Sequence, residues 1–183
     1  MYYPTEWKTE FTTKNGLKVV FRPEQPTDTE MLWVMFSTLS KKSASNLLPP
    51  FPRDRIESWT TEIDYDNVLA VVAVLTEKED HKRIIGTTSL RFNSQKALRH
   101  KAELGLTIHD DYQNRGIGTA LLKHIIKVAK TKKLKKIHLN VSAENDRAIY
   151  LYKKVGFTVE GTLHTESFVN GKYRDEYRMA LFF

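Results

Sequence analysis

The sequence contains no cysteine. That absence excludes disulfide staples, thiolate metal sites and a cysteine nucleophile together. Histidine is scattered: His81, His100, His109, His124, His138 and His164 offer no pair at metal-ligand spacing within one element, so no metal is expected. Apolar runs are short. The longest, VLAVVAVL at 68–75, falls well below the roughly 20 residues that a membrane helix needs, so it reads as a buried strand and no membrane partner is expected. The stretch MYYPTEWKTEF lacks a basic segment followed by an apolar one, so nothing there suggests export and the cytoplasm is the expected compartment. Glycine is scarce as well, with eight in 183 residues, which makes Gly116 and Gly118 conspicuous where they stand together before an apolar helical pattern.

Hydrophobic residues make up 40% and charged residues 28%, an ordinary globular balance. The length suits one core, and a single domain over 1–183 is expected, with 1–16 as an N-terminal strand or arm. Twenty-nine basic against 22 acidic residues give a net charge of +7, which favours a polyanion: nucleic acid, an anionic membrane or a phosphate-rich cofactor. The lysines of KVAKTKKLKK, 127–136, sit at the end of a predicted helix, where cations complement the dipole. They read as a solvated helix end or as a partner surface. No aromatic interleaving or recognition motif accompanies them, so nucleic acid is not the expected partner.

Along the chain, Asn15-Gly16 between β-prone runs signals a hairpin. Apolar residues at 31, 32, 35, 36 and 39 predict a helix over 27–40, KKSASNLLPPFP then breaks regularity with three prolines, and a second helix is expected over 53–63. Strands are expected at 68–75 and 83–92, antiparallel across the polar turn TEKEDHK. In KAELGLTIH, 101–109, Ala102, Leu104, Leu106 and Ile108 share one face while Glu103, Gly105 and Thr107 share the other. A helix with a stripe of Ile117, Leu121, Leu122, Ile125, Val128 and Ala129 follows Gly116. Next come a strand at 136–142, a helix from 146 to 155 with a stripe of Ala148, Leu151, Tyr152 and Val155, and two strands around Asn170-Gly171. This order predicts an α/β (α+β) fold with a mixed sheet.

In QNRGIG, backbone amides at a helix start form an anion site, and glycine admits a phosphate close to them. The pattern is too short for a dinucleotide fingerprint, and no Gly-Lys-Ser/Thr follows to make a P-loop. By itself the loop reads equally well as a tight strand-to-helix turn.

AELGLTIHDDYQNRGIGTALLKHIIKVAK followed by NVSAENDRAIYLYKKVGFTVEG resembles the GNAT superfamily of N-acetyltransferases across 101–161. More loosely, NGLKVVFRPEQPTDTEMLWVMFSTLSKKS resembles protein lysine acetyltransferases, and GTLHTESFVNGKYRDEYRMAL resembles amine, amino-acid and ribosomal-protein acetyltransferases. The resemblance implies a twisted, mostly antiparallel sheet of about seven strands flanked by about four helices, with acetyl-CoA as cosubstrate. It implies that the amides of Gln113, Asn114, Arg115, Gly116, Ile117, Gly118 and Thr119 hold pyrophosphate, Arg115 adding charge. Backbone groups of Leu106, Thr107 and Ile108 would meet the pantetheine arm where a bulge splays this strand from the next. Asn145 would bond the cofactor arm, its plain alternative being a helix N-cap. Tyr152 would protonate the departing thiolate, although spacing makes it equally a core residue. Glu103 would act as general base, with a surface glutamate as the alternative; Asn140, at another position where relatives carry the base, cannot take a proton. Asp110, Asp111, Tyr112, Asp175 and Glu176 could present polar groups to a cationic substrate, or serve as turn and edge residues.

These expectations converge on transfer of acetyl from acetyl-CoA to a primary amine in a ternary complex. The acceptor is a protein lysine, an N-terminal amine, or a small molecule such as an amino acid or polyamine, and a homodimer is left open. The rival reading is a non-catalytic acyl-CoA sensor, which retention of Glu103 and Tyr152 disfavours.

Overall fold

The Asn15-Gly16 signal corresponds to a hairpin between β1 (Thr9–Thr12) and β2 (Lys18–Pro23), closed by the Thr13 N–H on the Leu17 carbonyl at 2.9 Å. In the computed structural model, which describes residues 3–47, 49–76 and 82–183, this hairpin begins an eight-stranded sheet. The remaining strands are β3 (Val68–Thr76), β4 (Lys82–Phe92), β5 (Lys101–Ile108), β6 (Lys136–Ser142), β7 (Thr158–Val169) and β8 (Lys172–Phe182). Their order is β1-β2-β3-β4-β5-β6-β8-β7, and every pair is antiparallel except β5 with β6. The turn expected across TEKEDHK falls on 77–81, outside the described residues.

VLAVVAVL is continuously apolar because helices cover both faces of β3. Leu69, Val71, Ala73 and Leu75 join the core formed with α4 (Ile117–Thr131). Val72 and Val74 join Leu32, Met35 and Phe36 of α1 (Thr29–Ser37) and Ile56 of α3 (Arg53–Thr61). The predicted α4 stripe is buried throughout and gains Ile126. At the far end, Asn170 and Gly171 take φ of +52° and +78°. Such a pair of positive values makes a two-residue turn whose twist matches the flanking strands β7 and β8.

Two details differ from expectation. The described residues hold eight strands and five helices, because the N-terminal hairpin joins the sheet and because α2 (Lys41–Ser45) forms inside the segment expected to be irregular. The prolines there begin at Pro49, beyond α2, and the Ser40 hydroxyl caps the helix by accepting the Ser43 N–H at 3.1 Å. In α5 (Asp146–Val155), the buried residues are Ile149 and Tyr152, while Ala148, Leu151 and Val155 are half-buried. The stripe is therefore rotated slightly toward Ile149.

Beside the sheet edge, Arg22 grips Asp28 with two hydrogen bonds, 2.7 and 2.6 Å, and the Asp28 side chain is fully buried. Asp28 also accepts the Gln25 N–H at 2.8 Å, fixing the turn that carries the chain from β2 into α1. Fork geometry of this kind makes a strong charge-assisted pair.

Candidate active site

The parallel pairing of β5 with β6 is short: Lys101, Ala102 and Glu103 oppose Lys136, Ile137 and His138. Beyond that point β5 stays on β4 up to Ile108, and β6 stays on β8 up to Ser142, so the two strands part and leave a gap. The expected bulge is not in β5. The register slips between β3 and β4, leaving Ile85 as the extra residue, whose carbonyl accepts the His109 N–H at 2.9 Å. The Gly105 carbonyl likewise faces β4, accepting the Thr88 hydroxyl at 2.8 Å. Strand alternation then turns the backbone groups of Leu106 and Ile108 toward the gap, and those of Thr107 toward β4.

A cavity of about 530 Å³ opens at this gap. Gln113, Asn114, Gly116, Gly118 and Thr119 form its loop wall. Gly116 takes φ +81° as the N-cap of α4, a left-handed conformation that favours glycine. Gly118 is constrained by space instead: a Cβ there would come to 3.2 Å from Leu151 Cδ1 and 3.4 Å from Ile108 Cγ1. The first α4 amides have no partners within the helix, so they point positive dipole ends at the cavity mouth. Gln113 holds the loop to β5 through Nε2 on the Ile108 carbonyl at 2.9 Å.

Two expected loop residues stand apart. Arg115 lies over the Tyr112 ring, 5.5 Å from its centroid, and is not among the residues lining the cavity. Ile117 is 1% exposed and packs in the core, which leaves only its backbone amide available. Positive charge reaches the cavity instead from Arg147 and Lys154 of α5. Arg147 also donates to the Gln113 side chain. Arg147 was not anticipated, although a basic residue in the first turn after Asn145 was the available signal.

Asn145 is the N-cap of α5, accepting the Ala148 N–H at 3.2 Å, and it also lines the same cavity. Tyr152 is likewise a core residue that borders the cavity. It is 8% exposed, packs on Phe157 with centroids 5.7 Å apart, and lines the cavity; burial pushes its hydroxyl up to about 12. Asn140 also lines this cavity, its side-chain oxygen accepting from Arg178 Nε at 3.2 Å.

A second cavity, of about 540 Å³, lies on the α3 side and shares Leu47, Gly105, Leu106 and Thr107 with the first. Phe36, Phe51 and Trp59 give it an aromatic wall, and Glu24, Glu62 and Asp64, none of them anticipated, give it carboxylates. Arg55 and Arg91 also border it, Arg55 stacking over Phe51 and Trp59 at 5.2 and 5.4 Å. Burial pushes Glu24 up to about 8, reinforced by the Asp28 charge and opposed by Arg22. Glu103 is exposed and lines neither cavity. It sits directly opposite Arg91 on β4 and His138 on β6, one row beyond Gly105 on the same strand face.

The remaining carboxylates mostly have structural partners. Asp110 accepts the Ser40 N–H at 2.8 Å and the Ser40 and Ser43 hydroxyls at 2.8 and 2.6 Å. Burial would raise its pKa, but these hydrogen bonds bring it below the ordinary value. They also hold α2 against the turn before the glycine loop, bringing Ser43, Asn46 and Leu47 to the first cavity. Asp175 accepts the Thr165 N–H at 2.9 Å and lies 2.9 Å from His164 Nδ1, contacts that lower its pKa. Asp111 lies 3.6 Å from His109 Nδ1, and Glu176 is buried. Among the described residues, no helix is long and apolar enough to cross a membrane.

Residues 33–157 match the acetyltransferase (GNAT) family. The spermidine N(1)-acetyltransferase of Escherichia coli (strain K12) is 40% identical over 86 residues, 46% of this chain and 46% of that protein. The L-amino acid N-acetyltransferase AaaT of the same organism is 32% identical over 98 residues, 53% of this chain and 60% of its own length. The chain thus matches about half the length of these curated relatives. Among solved structures, the spermidine N-acetyltransferase from Vibrio cholerae in complex with CoA and spermine superposes with a TM-score of 0.75 at 25% identity, covering 90% of this chain and 95% of that one. With the family match spanning the splayed strands, the glycine loop and the Asn145 helix, this chain belongs to the GNAT family of acetyltransferases.

Proposed function

We propose that this protein transfers an acetyl group from acetyl-CoA to a primary amine within a ternary complex. The observation that carries this reading is the meeting of two cavities at Gly105, Leu106 and Thr107, one beside the glycine loop and one beside α3. Acetyl-CoA supplies an activated acyl group on a thioester. The loop cavity suits such a ligand, because Gly116 and Gly118 keep side chains away from the α4 amides while Arg147 and Lys154 add positive charge. The related structure solved with CoA and spermine agrees with that ligand class.

Within this scheme the amides of Gly116 through Thr119 bind the pyrophosphate. The backbone groups of Leu106 and Ile108, turned to the gap, pair with the extended arm as an added strand would. Of these groups the Leu106 N–H, where the two cavities meet, faces the acyl oxygen and stabilises its negative charge. Tyr152, held protonated by burial, donates to the departing sulfur. Glu103, outside both cavities and one row beyond Gly105, takes, directly or through water, the proton that an ammonium with pKa near 10.4 must lose before it can attack.

The named acceptors of the relatives diverge, and a primary amine is what they share. The decisive experiment measures free-thiol release from acetyl-CoA against alkylamines, amino acids and peptides. Turnover with at least one class is expected. Tight acetyl-CoA binding without turnover for any acceptor would instead favour the sensor reading.

A further inference from the structure

Glu24 follows β2 directly, and its N–H donates to the Ala70 carbonyl at 3.1 Å, continuing the register in which Pro23 opposes Val71. Ala70 opposes Ser89, and Ser89 opposes Gly105. Directly opposed residues in antiparallel strands project to the same face, so Glu24, Ala70, Ser89 and Gly105 form one row across the sheet. All four border the α3-side cavity. The three residues after Glu24 in that row are small, so the row is a trough with a carboxylate at one end. Its other end is Gly105, where the two cavities meet.

The trough has a definite length. Three interstrand steps of about 4.8 Å put Glu24 and Gly105 roughly 14 Å apart, and the glutamate side chain and the reacting group shorten the remaining span to about 10 Å. Glu24 is therefore too far from the junction to take a proton directly from an attacking amine. It is well placed to meet a second charge on the same acceptor.

Its surroundings leave it available. Glu24 is 6% exposed, and no donor among the described residues is hydrogen-bonded to its carboxylate. The nearest cation, Arg22, is already bonded to both oxygens of Asp28. Tyr65 donates to the Glu24 backbone carbonyl and not to the side chain. Of the other charged groups bordering the cavity, Glu62 and Asp64 add negative charge, Arg55 stacks on Phe51 and Trp59, and Arg91 opposes Glu103. Around this aromatic-walled trough the charges of Glu62 and Asp64 are matched by Arg55 and Arg91, so Glu24 is the group whose ionisation would give it net negative charge. A buried carboxylate without a partner is unfavourable, and an incoming ammonium would offset that cost.

Resting on the transferase reading above, we propose that Glu24 is a specificity-determining residue that binds a second ammonium of the acceptor, about 10 Å from the amine being acetylated. The acceptor class is then a flexible aliphatic di- or polyamine. Its nitrogens are separated by roughly eight bonds of extended chain, given bond lengths near 1.5 Å. The methylenes lie against Phe36 and Trp59, and the small residues of the trough leave room for them.

The test is a series of α,ω-diamines with four to ten methylenes, each paired with the monoamine of equal length and assayed for acetyl transfer with the unmodified chain. Diamine kcat/KM is expected to peak near seven methylenes and to exceed that of the matched monoamine by about tenfold or more, as one charge-assisted contact supplies. In Glu24→Gln the diamine-to-monoamine ratio should fall to near one. Equal use of diamines and monoamines by the wild type, or a preference that survives Glu24→Gln, overturns the assignment of Glu24 and leaves the transferase reading standing. Absence of transfer to any amine, amino acids and peptides included, overturns both. The length series needs no variant, so it decides the matter even if Glu24→Gln folds poorly.

Discussion

Tyr152 can donate a proton at any ordinary assay pH, since burial pushes its hydroxyl up to about 12. A free thiol ionises near 8.5, so in the proposed mechanism the departing sulfur is already a tolerable leaving group and a proton from the tyrosine would assist it only in part. Tyr152→Phe should therefore lower kcat by about tenfold, below the usual range for acid catalysis. Unchanged thiol release would reduce Tyr152 to a core residue. As the proposed base, Glu103 would face a steeper task, because only about one lysine-like amine in a few thousand is unprotonated at pH 7. Glu103→Gln should lower turnover roughly a hundredfold there and by less than tenfold at pH 10, where free amine is plentiful. A uniform deficit across pH would remove it from proton transfer. At this scale the sequence was informative about Asn145 and Tyr152, whose motif and helical spacing are local. It was silent about Glu24, whose place in the cavity comes from pairing of strands far apart in the chain.

Among the elements, α4 was the most legible, because a long stripe preceded by a glycine pair fixes both its buried face and its start. α2 was hidden, because five polar and small residues carry no periodicity and its stability comes from Asp110, remote in sequence. The three hydrogen bonds to Asp110 hold α2 where Ser43, Asn46 and Leu47 close one wall of the loop cavity. Asp110→Ala should release that wall and weaken acetyl-CoA binding by about tenfold, consistent with losing hydrogen bonds to a charged group. Isothermal titration with acetyl-CoA measures the change, and wild-type affinity would show that α2 contributes nothing to the cavity. Ser43→Ala removes one of the three bonds and should produce a smaller loss.

For the whole molecule, alternating and continuous apolar runs made the α/β class and most strands readable, while the insertion of β8 between β6 and β7 was not. That placement depends on long-range pairing, which local patterns do not encode. The same long-range pairing buries Glu24, and burial there ties global stability to pH. A carboxyl raised from 4.5 to about 8 is protonated in both folded and unfolded chains at low pH, so its stabilising effect is complete below 4.5. Between 4.5 and about 8 the unfolded chain releases the proton and the folded chain keeps it, so stability falls as pH rises. His124 and His138, lowered chiefly by burial, act oppositely, as does Asp110, whose lowered pKa withdraws stability only at acidic pH. Comparing wild type with Glu24→Gln cancels those shared contributions. Relative to wild type, the variant should gain stability from pH 5 to pH 8, approaching about 4 kcal/mol, because each tenfold difference in proton affinity between the folded and unfolded chains is worth about 1.36 kcal/mol. Denaturant unfolding across that range measures it, and parallel stability curves for the two proteins would mean that the Glu24 carboxylate ionises freely in the folded chain.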